Sequence, residues 1–448
     1  MKADELGVAV ARFVRCLEFV RMVWIAPVLV LAAQMNSSHP AASITTGAEY
    51  ADDVSLLTSQ VALIMNGTFE PLVKPEWIDH VIREVVTPTL GAGYLGAAMN
   101  TPEEFWPASG LSSLTFDDSI KTGLGLLDAQ IRQNLQESPR SPLAVFGLSQ
   151  SAIIASVEKR TLATQYADAG DTPPVSFVMT GNPYRPNGGI LSRLPILAKI
   201  LTPSTEMTST PTDTMFATLD IAHQYDLWAD FPTYPLNLLA DVNAIFGLMN
   251  HWYLPQSSVR LIDQLLPTIS LEPASPDYNP DTSISVYGDT TYYTIPSGHL
   301  PMLMPLRWIG LGPLTDIVEP TLRVLVELGY DRGAPSGQIV RAGLFPKLDA
   351  GKLAADLGAA LAEGAAALRN LLTHPAAVPA GVSTRATEAV ESVESTRIPV
   401  RRGDVPVQRL RPAVSQNLKP AAMRHVTKKA VSVPSNTSAT RVHPADAA

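Results

Sequence analysis

From about residue 60 onward, short unbroken apolar runs alternate with longer stretches whose apolar positions recur every three or four residues. Unbroken runs of this kind fit strands buried on both faces, and the wider spacing fits amphipathic helices. Residues 61–65 (VALIM) form the first such run and stop at Asn66-Gly67-Thr68. Residues 116–131 place Ile120, Leu124, Leu127 and Ile131 at helical spacing. Residues 143–146 (LAVF) predict a second buried strand, followed at once by a helix from Gln150 to about Ala163. Residues 175–179 (VSFVM) predict a strand stopped by Gly181-Asn182-Pro183, and residues 218–224 one that ends at Tyr225-Asp226. Residues 236–248 read as helical, and 283–287 with 290–295 as two strands around a Gly-Asp turn. Strands alternating with helices predict an α/β fold with a mostly parallel sheet and helices on both faces. The Ala-rich stretch 351–372 is expected to be the last ordered helix, and no internal repeat is visible.

The two ends read differently. Residues 22–33 (MVWIAPVLVLAA) are unbroken apolar, with Arg12, Arg15 and Arg21 before them and Gln34, Asn36, Ser37 and Ser38 after. A basic flank, a short apolar core and a polar exit are the parts of a signal peptide. No clean Ala-x-Ala cleavage site follows, so residues 1–45 are expected to be either a signal peptide or a membrane anchor, directing the chain to the cell envelope. Residues 375–448 carry 11 Lys/Arg against 5 Asp/Glu, while the rest of the chain carries 22 against 37. This basic, Ala/Pro-rich tail has no aromatic residue and is expected to be disordered, because it buries too little to offset its ordering entropy. The expected organisation is a leader over 1–45, a catalytic domain over 58–330, a helical extension over 331–374 and the tail over 375–448.

Composition removes several classes. With 46% apolar and 17% charged residues in 448, the chain is neither wholly disordered nor collagen-like. A net charge of −9 speaks against a nucleic-acid binder. The single cysteine, Cys16, excludes a disulfide framework and a zinc site built on several thiolates. No run of 18 apolar residues exists, which excludes a multi-span membrane protein.

The chemistry sits at LAVFGLSQS followed by AIIAS. A buried strand runs into Gly147-Leu148-Ser149-Gln150-Ser151 and a helix begins at once, the setting a nucleophile elbow needs. The tight turn would lift the Ser149 hydroxyl above the sheet. The helix N-terminus behind it offers free N–H groups to a developing oxyanion. The Gln150 N–H is the natural first donor, and Gly67-Thr68, after the earlier strand, fits the second. The competing reading is a serine helix cap, a common use of that residue. A serine needs a histidine to take its proton and a carboxylate to orient that histidine, here in the order Ser, Asp/Glu, His. Asp226 stands at the expected strand end; Asp220 would lie within the strand and Asp230 four residues beyond. His251 (LMNHWYLP) and His299 (PSGHLPML) are both loop-like candidates for the base.

Beyond these residues the chain resembles the PE-PPE domain family of mycobacteria and their relatives. The stretches that carry the resemblance include LIMNGTFEP, VFGLSQSAIIASVEKR, VSFVMTGNPYRPNGGI, QYDLWADFPTYPLNLLADVNAIFG, NHWYL and TTYYTIPSGHLPMLMPLR, in the family's order over roughly residues 58–330. The resemblance implies an α/β-hydrolase fold with cutinase-like features. It implies Ser149 as nucleophile, Asp226 as orienting acid and His251 as base, with no cofactor and no metal. Ser151 stands where Gly is more usual, and Asn66-Gly67-Thr68-Phe69 replaces a more Gly-rich oxyanion loop. No PE or PPE helical module is visible in residues 1–57. The layout is similar to anchored acyltransferases that act on acylated trehalose lipids, while other members look like esterases and lipases. The expected partner is an acyl-ester lipid or glycolipid, with the envelope membrane reached through the N-terminus and no nucleic acid. The alternative is a catalytically silent hydrolase scaffold used for binding or envelope structure.

Overall fold

The structure, a computed structural model, describes residues 60–248 and 269–373. The expected leader 1–45, the base candidate His251 and the basic tail 375–448 lie outside the described residues.

Seven strands form one sheet. They are β1 (Gln60–Ile64), β2 (Tyr94–Ala98), β3 (Leu143–Leu148), β4 (Val175–Thr180), β5 (Thr218–His223), β6 (Ser283–Tyr287) and β7 (Thr290–Ile295). Their order across the sheet is β2-β1-β3-β4-β5-β7-β6. All neighbours are parallel except the β6–β7 hairpin at one edge. The apolar runs read from the sequence are these strands. β2 was not legible, because its YLGAA has Gly96 at its centre and Gly91 and Gly93 ahead of it, so it reads as a loop.

Each strand turns alternate residues to opposite faces, and each face is covered. Leu63, Met65, Val145, Phe177 and Met179 pack with α2 (Phe116–Glu137) and α3 (Gln150–Gln165). Ala62, Ile64, Ala144, Phe146, Val178 and Ile221 pack on the other face with α1 (Pro75–Val81) and the wider turn that continues it, through Trp77, Val81 and Val85. β3 is buried at all six positions, which is why it reads as a continuous apolar run. α2 starts where Thr115 accepts the Asp118 N–H at 3.1 Å, a side-chain N-cap.

Beside short helical segments such as Pro195–Leu201, three longer helices follow: α4 (Leu238–Phe246), α5 (Gly312–Glu327) and α6 (Ala350–Thr373). α4 starts two residues later than the apolar spacing predicts, because the Asn237 side chain caps it through the Ala240 N–H. The expected helical extension 331–374 has two parts. Residues 334–343 are a non-helical strap bonded to the domain: Asn187 N–H to Ser336 O at 3.1 Å, Ala342 N–H to Arg193 O at 3.0 Å and Gly343 N–H to Thr233 O at 2.8 Å. Only α6 is helical, and it packs on α5, where Gly364 lets it approach the Ile317 carbonyl.

Inside the sheet, Asp220 of β5 is 1% exposed and its carboxylate accepts from Arg185 and from Asn182, both at 2.8 Å. Arg185 is itself buried and lies over the Tyr292 ring. Removing one partner of such a pair strands the other charge. Arg185→Met is therefore expected to cost about 3–5 kcal/mol in urea denaturation at neutral pH. The loss should shrink toward acid pH, where Asp220, already held above the ordinary carboxylate range by burial, takes up a proton. An unchanged midpoint would show that the pair is not integral to the sheet.

Candidate active site

The strand order reverses between β1 and β3: the chain leaves β1 for β2 on one side and returns to β3 on the other. In open parallel sheets the crevice at such a point, outside the C-terminal strand ends, is where ligands bind. The loop after β1 and the turn after β3 meet there.

Ser149 is that turn. Its φ of 56° and ψ of −109° put a non-glycine residue in the left-handed half of conformational space. Its N–H reaches the Thr180 carbonyl of β4 at 3.0 Å, and its carbonyl accepts the Ala152 N–H that opens α3 at 3.1 Å. Leu148 and Gln150 on either side are buried, whereas Ser149 is partly exposed. The side chain does not cap α3. The helix-cap reading of this serine is therefore set aside on geometry. Gly147 is required by space, since a Cβ there would stand 2.5 Å from the Ser151 carbonyl oxygen.

Ser151, the departure from the more usual Gly, has a structural use. Fully buried, it accepts the Leu148 N–H at 2.8 Å and donates to the Asn66 carbonyl at 2.5 Å. It thus ties the turn to the loop after β1. In that loop Asn66 Oδ1 takes the Gly67 N–H at 3.1 Å, and a Cβ built on Gly67 would touch that of Ser149 at 3.4 Å. Phe69 has φ 76° and donates its N–H to the Glu103 carbonyl at 2.8 Å. Thr68 lies between these two anchored residues, one position beyond Gly67. Among the described residues no hydrogen bond occupies the backbone N–H of Thr68 or of Gln150. The Gln150 side chain is fixed by Ser119 Oγ at 2.7 Å and the Glu104 carbonyl at 3.0 Å.

The three carboxylate candidates differ in their commitments. Asp220 is bound to Arg185 inside the sheet. Asp230 takes the Arg332 guanidinium at 2.6 Å and the Tyr225 N–H at 2.7 Å. Asp226 is fully buried just beyond β5, where its Oδ1 accepts the Trp228 N–H at 2.8 Å and the Ala229 N–H at 3.4 Å. β3, β4 and β5 are neighbours, so Asp226 follows a strand two spacings, about 10 Å, from the one that leads into Ser149, at the same C-terminal end of the sheet. The end of α4 passes directly over this acid loop. Gly247 is needed there, since a Cβ would run into the Tyr225 carbonyl, and its place is 3.6 Å from the Asp226 nitrogen. His251 is four residues further along the chain.

His299 lies in the loop after β7, with Nδ1 3.0 Å from Glu319 Oε2 of α5. Glu319 also accepts the Leu300 N–H at 2.7 Å and Arg323 at 2.6 Å. His299, Asp316 and Glu319 are close enough to share a metal ion, but Arg307 already pairs with Asp316 and Arg323 with Glu319. A cation there would meet two guanidinium charges.

Sequence reading missed the loop between β2 and α2 as a neighbour of the site. Its contacts run through the backbone carbonyls of Glu103 and Glu104, which leave no mark on residue type. It also missed Arg332, which is remote in sequence from Asp230.

A mostly parallel sheet with a serine at the strand-to-helix turn beside the switch point defines the α/β-hydrolase class. More narrowly, the chain belongs to the PE-PPE domain family, whose model matches residues 92–331, more than half of it. The sheet begins before that match, since β1 inserts between β2 and β3. The chain is 38% identical to Esterase PE16 of Mycobacterium tuberculosis over 70% of this chain and 57% of the relative. It is 28% identical to the SL1278 acyltransferase Chp1 of the same organism, over 62% of this chain and 66% of that one. The Diacyltrehalose acyltransferase Chp2, also from M. tuberculosis, is 28% identical over 50% of this chain and 60% of its own length. The chain thus spans little more than half the length of the curated relatives it matches.

Ser151→Ala removes the hydroxyl that joins the turn to Asn66 and leaves the buried Leu148 N–H unsatisfied. Thermal and urea unfolding should show a loss of about 1–3 kcal/mol. A variant as stable as the parent would mean that Ser151 merely fills the place of Gly.

Proposed function

We propose that this protein is a serine-dependent acyl-ester hydrolase or acyltransferase that works through an acyl-Ser149 intermediate. The observation that carries the reading is the backbone of Ser149, strained at φ 56° between a buried strand and a helix, with its hydroxyl unused as a cap. Such strain persists where the surroundings impose it, and it clusters at active sites.

In this reading His251 takes the Ser149 proton as the oxygen attacks the ester carbonyl. The Gln150 and Thr68 N–H groups receive the oxyanion, each donor being worth roughly 3 kcal/mol. The ester C–O bond breaks as His251 returns the proton to the leaving alcohol. Water or a second alcohol then attacks the acyl-serine and delivers its proton to His251; the bond from the acyl carbon to Ser149 Oγ breaks, and His251 returns the proton to Ser149. Asp226 holds the imidazole in the required tautomer. Support for Asp226 comes from its place at the sheet edge and from the commitment of Asp220 and Asp230 to arginines.

The substrate class we propose is an acylated lipid such as a trehalose glycolipid of the cell envelope, reached by export or anchoring through residues 1–45. The names of the relatives PE16, Chp1 and Chp2 support ester and acyl-transfer chemistry, and that of Chp2 supports an acylated trehalose. Leu236, Leu238 and Val242, on and just before α4, are exposed apolar side chains, a surface suited to an acyl chain.

The test is covalent labelling of the full chain with a fluorophosphonate probe, beside Ser149→Ala, with the adduct mapped by mass spectrometry. Labelling of the parent alone, at Ser149, is the expected result. A folded parent that takes no label would turn the reading toward a silent binding scaffold. His251→Ala should abolish ester turnover while His299→Ala keeps most of it, and the reverse pattern would move the base to His299.

A further inference from the structure

The loop between β2 and α2 takes no part in the chemistry above, yet two of its successive carbonyls hold both flanks of the oxyanion site. Glu103 is a non-glycine residue at φ 51°, and its carbonyl accepts the N–H of Phe69, itself at φ 76°. The Glu104 carbonyl accepts the Gln150 side-chain amide. The Glu104 N–H closes a second link, donating to Ser119 Oγ at 3.0 Å, which in turn donates to Gln150 Oε1 at 2.7 Å. Phe69 follows Thr68, and Gln150 follows Ser149.

The Glu103 side chain is buried inside this loop, with the residue 1% exposed. Its Oε1 accepts the Thr101 hydroxyl at 2.6 Å. Its Oε2 is buried without a hydrogen-bond partner among the described residues. A carboxylate in that place would be neither paired nor hydrated, a costly state that a neutral acid avoids. Burial pushes the carboxyl up to about 8, against the smaller opposing effect of Thr101. Charged groups on the elements bonded to this loop are Glu104 within it, Glu70 beyond Phe69, and Asp117, Asp118 and Lys121 at the start of α2. Lys121 bridges the two aspartates. None of them supplies a counter-charge to Glu103.

We propose that Glu103 is a positioning residue for acyl transfer: uncharged and buried, it keeps its loop in the conformation that holds the Phe69 N–H, and with it the Thr68 donor, beside Ser149. This inference rests on the acyl-transfer reading. The sign of its pH dependence follows from linkage. The folded loop binds a proton that the unfolded loop releases near the ordinary glutamate value. The contribution is therefore complete below the ordinary glutamate value, falls as pH rises from there and is gone above the folded value of about 8.

The experiment compares the full-length parent, Glu103→Gln and Glu103→Ala on a short-chain fluorogenic ester from about pH 6 to about pH 10. The parent should lose kcat above about pH 8 with KM steady. Glu103→Gln, uncharged at every pH, should keep its plateau. Glu103→Ala should lower kcat about tenfold or more at every pH, as misplacement of an oxyanion donor does. Hydrogen exchange followed by mass spectrometry supplies a readout that needs no turnover: residues 66–70 should exchange faster in Glu103→Ala than in the parent at equal pH. An alkaline fall in Glu103→Gln equal to that of the parent would overturn the proposal. So would a Glu103→Ala variant with unchanged kcat and unchanged exchange at 66–70. If the parent shows no Ser149-dependent turnover, the acyl-transfer reading fails, and exchange at 66–70 still decides whether Glu103 holds that loop. If Glu103→Ala does not fold, the Glu103→Gln profile decides.

Discussion

The turn from β3 to α3 is so tight that position 147 has no room for a side chain and position 149 must take a left-handed backbone. For an L-residue that conformation costs of order 1–2 kcal/mol. The cost is sustained because β3 is clamped on both edges, by β1 and by β4, and because the Ser149 N–H and carbonyl are both used in the turn itself. A residue so placed cannot relax without unpairing the centre of the sheet. The other parts of the candidate site are registered to it. The Ser151 hydroxyl joins it to the loop after β1, the Thr180 carbonyl to β4, and the Gln150 side chain to the loop after β2.

The acid side of the site is held by different forces. Two buried or half-buried arginines neutralise the carboxylates that flank Asp226 in sequence: Arg185 on Asp220, and Arg332 on Asp230. The block Gly-Asn-Pro-Tyr-Arg-Pro-Asn-Gly-Gly, prominent in the family resemblance, carries much of this scaffolding. Asn182 bonds Asp220, Arg185 pairs with it, the Gly188 carbonyl accepts the Phe231 N–H, and Ile190 bonds the Trp228 carbonyl. Similarity in that block therefore reports how the loop after β5 is held in place rather than which bond is broken. The strap 334–343, just beyond the family match, is bonded to the same part of the domain through Asn187 and Arg193.

The loop between β2 and α2 gives the oxyanion side an equivalent support made almost wholly of backbone. Its two left-handed contacts, at Glu103 and Phe69, brace each other across 34 positions of chain. Glu103 adds a buried carboxyl whose charge state is coupled to the shape of that loop. A preorganised oxyanion site needs rigidity of this kind, because donors that must reorganise during reaction stabilise the transition state less.

By itself, the sequence determined the layered α/β architecture and the place of the elbow. Both follow from local rules: continuous apolar runs make strands buried on both faces, and a small-residue turn between strand and helix projects one serine. It could not show β2, whose central glycine erases the strand signal and whose membership depends on pairing with β1. It favoured Asp226 over Asp220 and Asp230 by place along the strand, but it could not show that the other two pair with arginines 35 residues upstream of Asp220 and 102 downstream of Asp230. Nor could it assign Ser151 a use or bring Glu103 to the site. Those outcomes are set by long-range hydrogen bonds and by burial, which exist only once the chain has closed on itself.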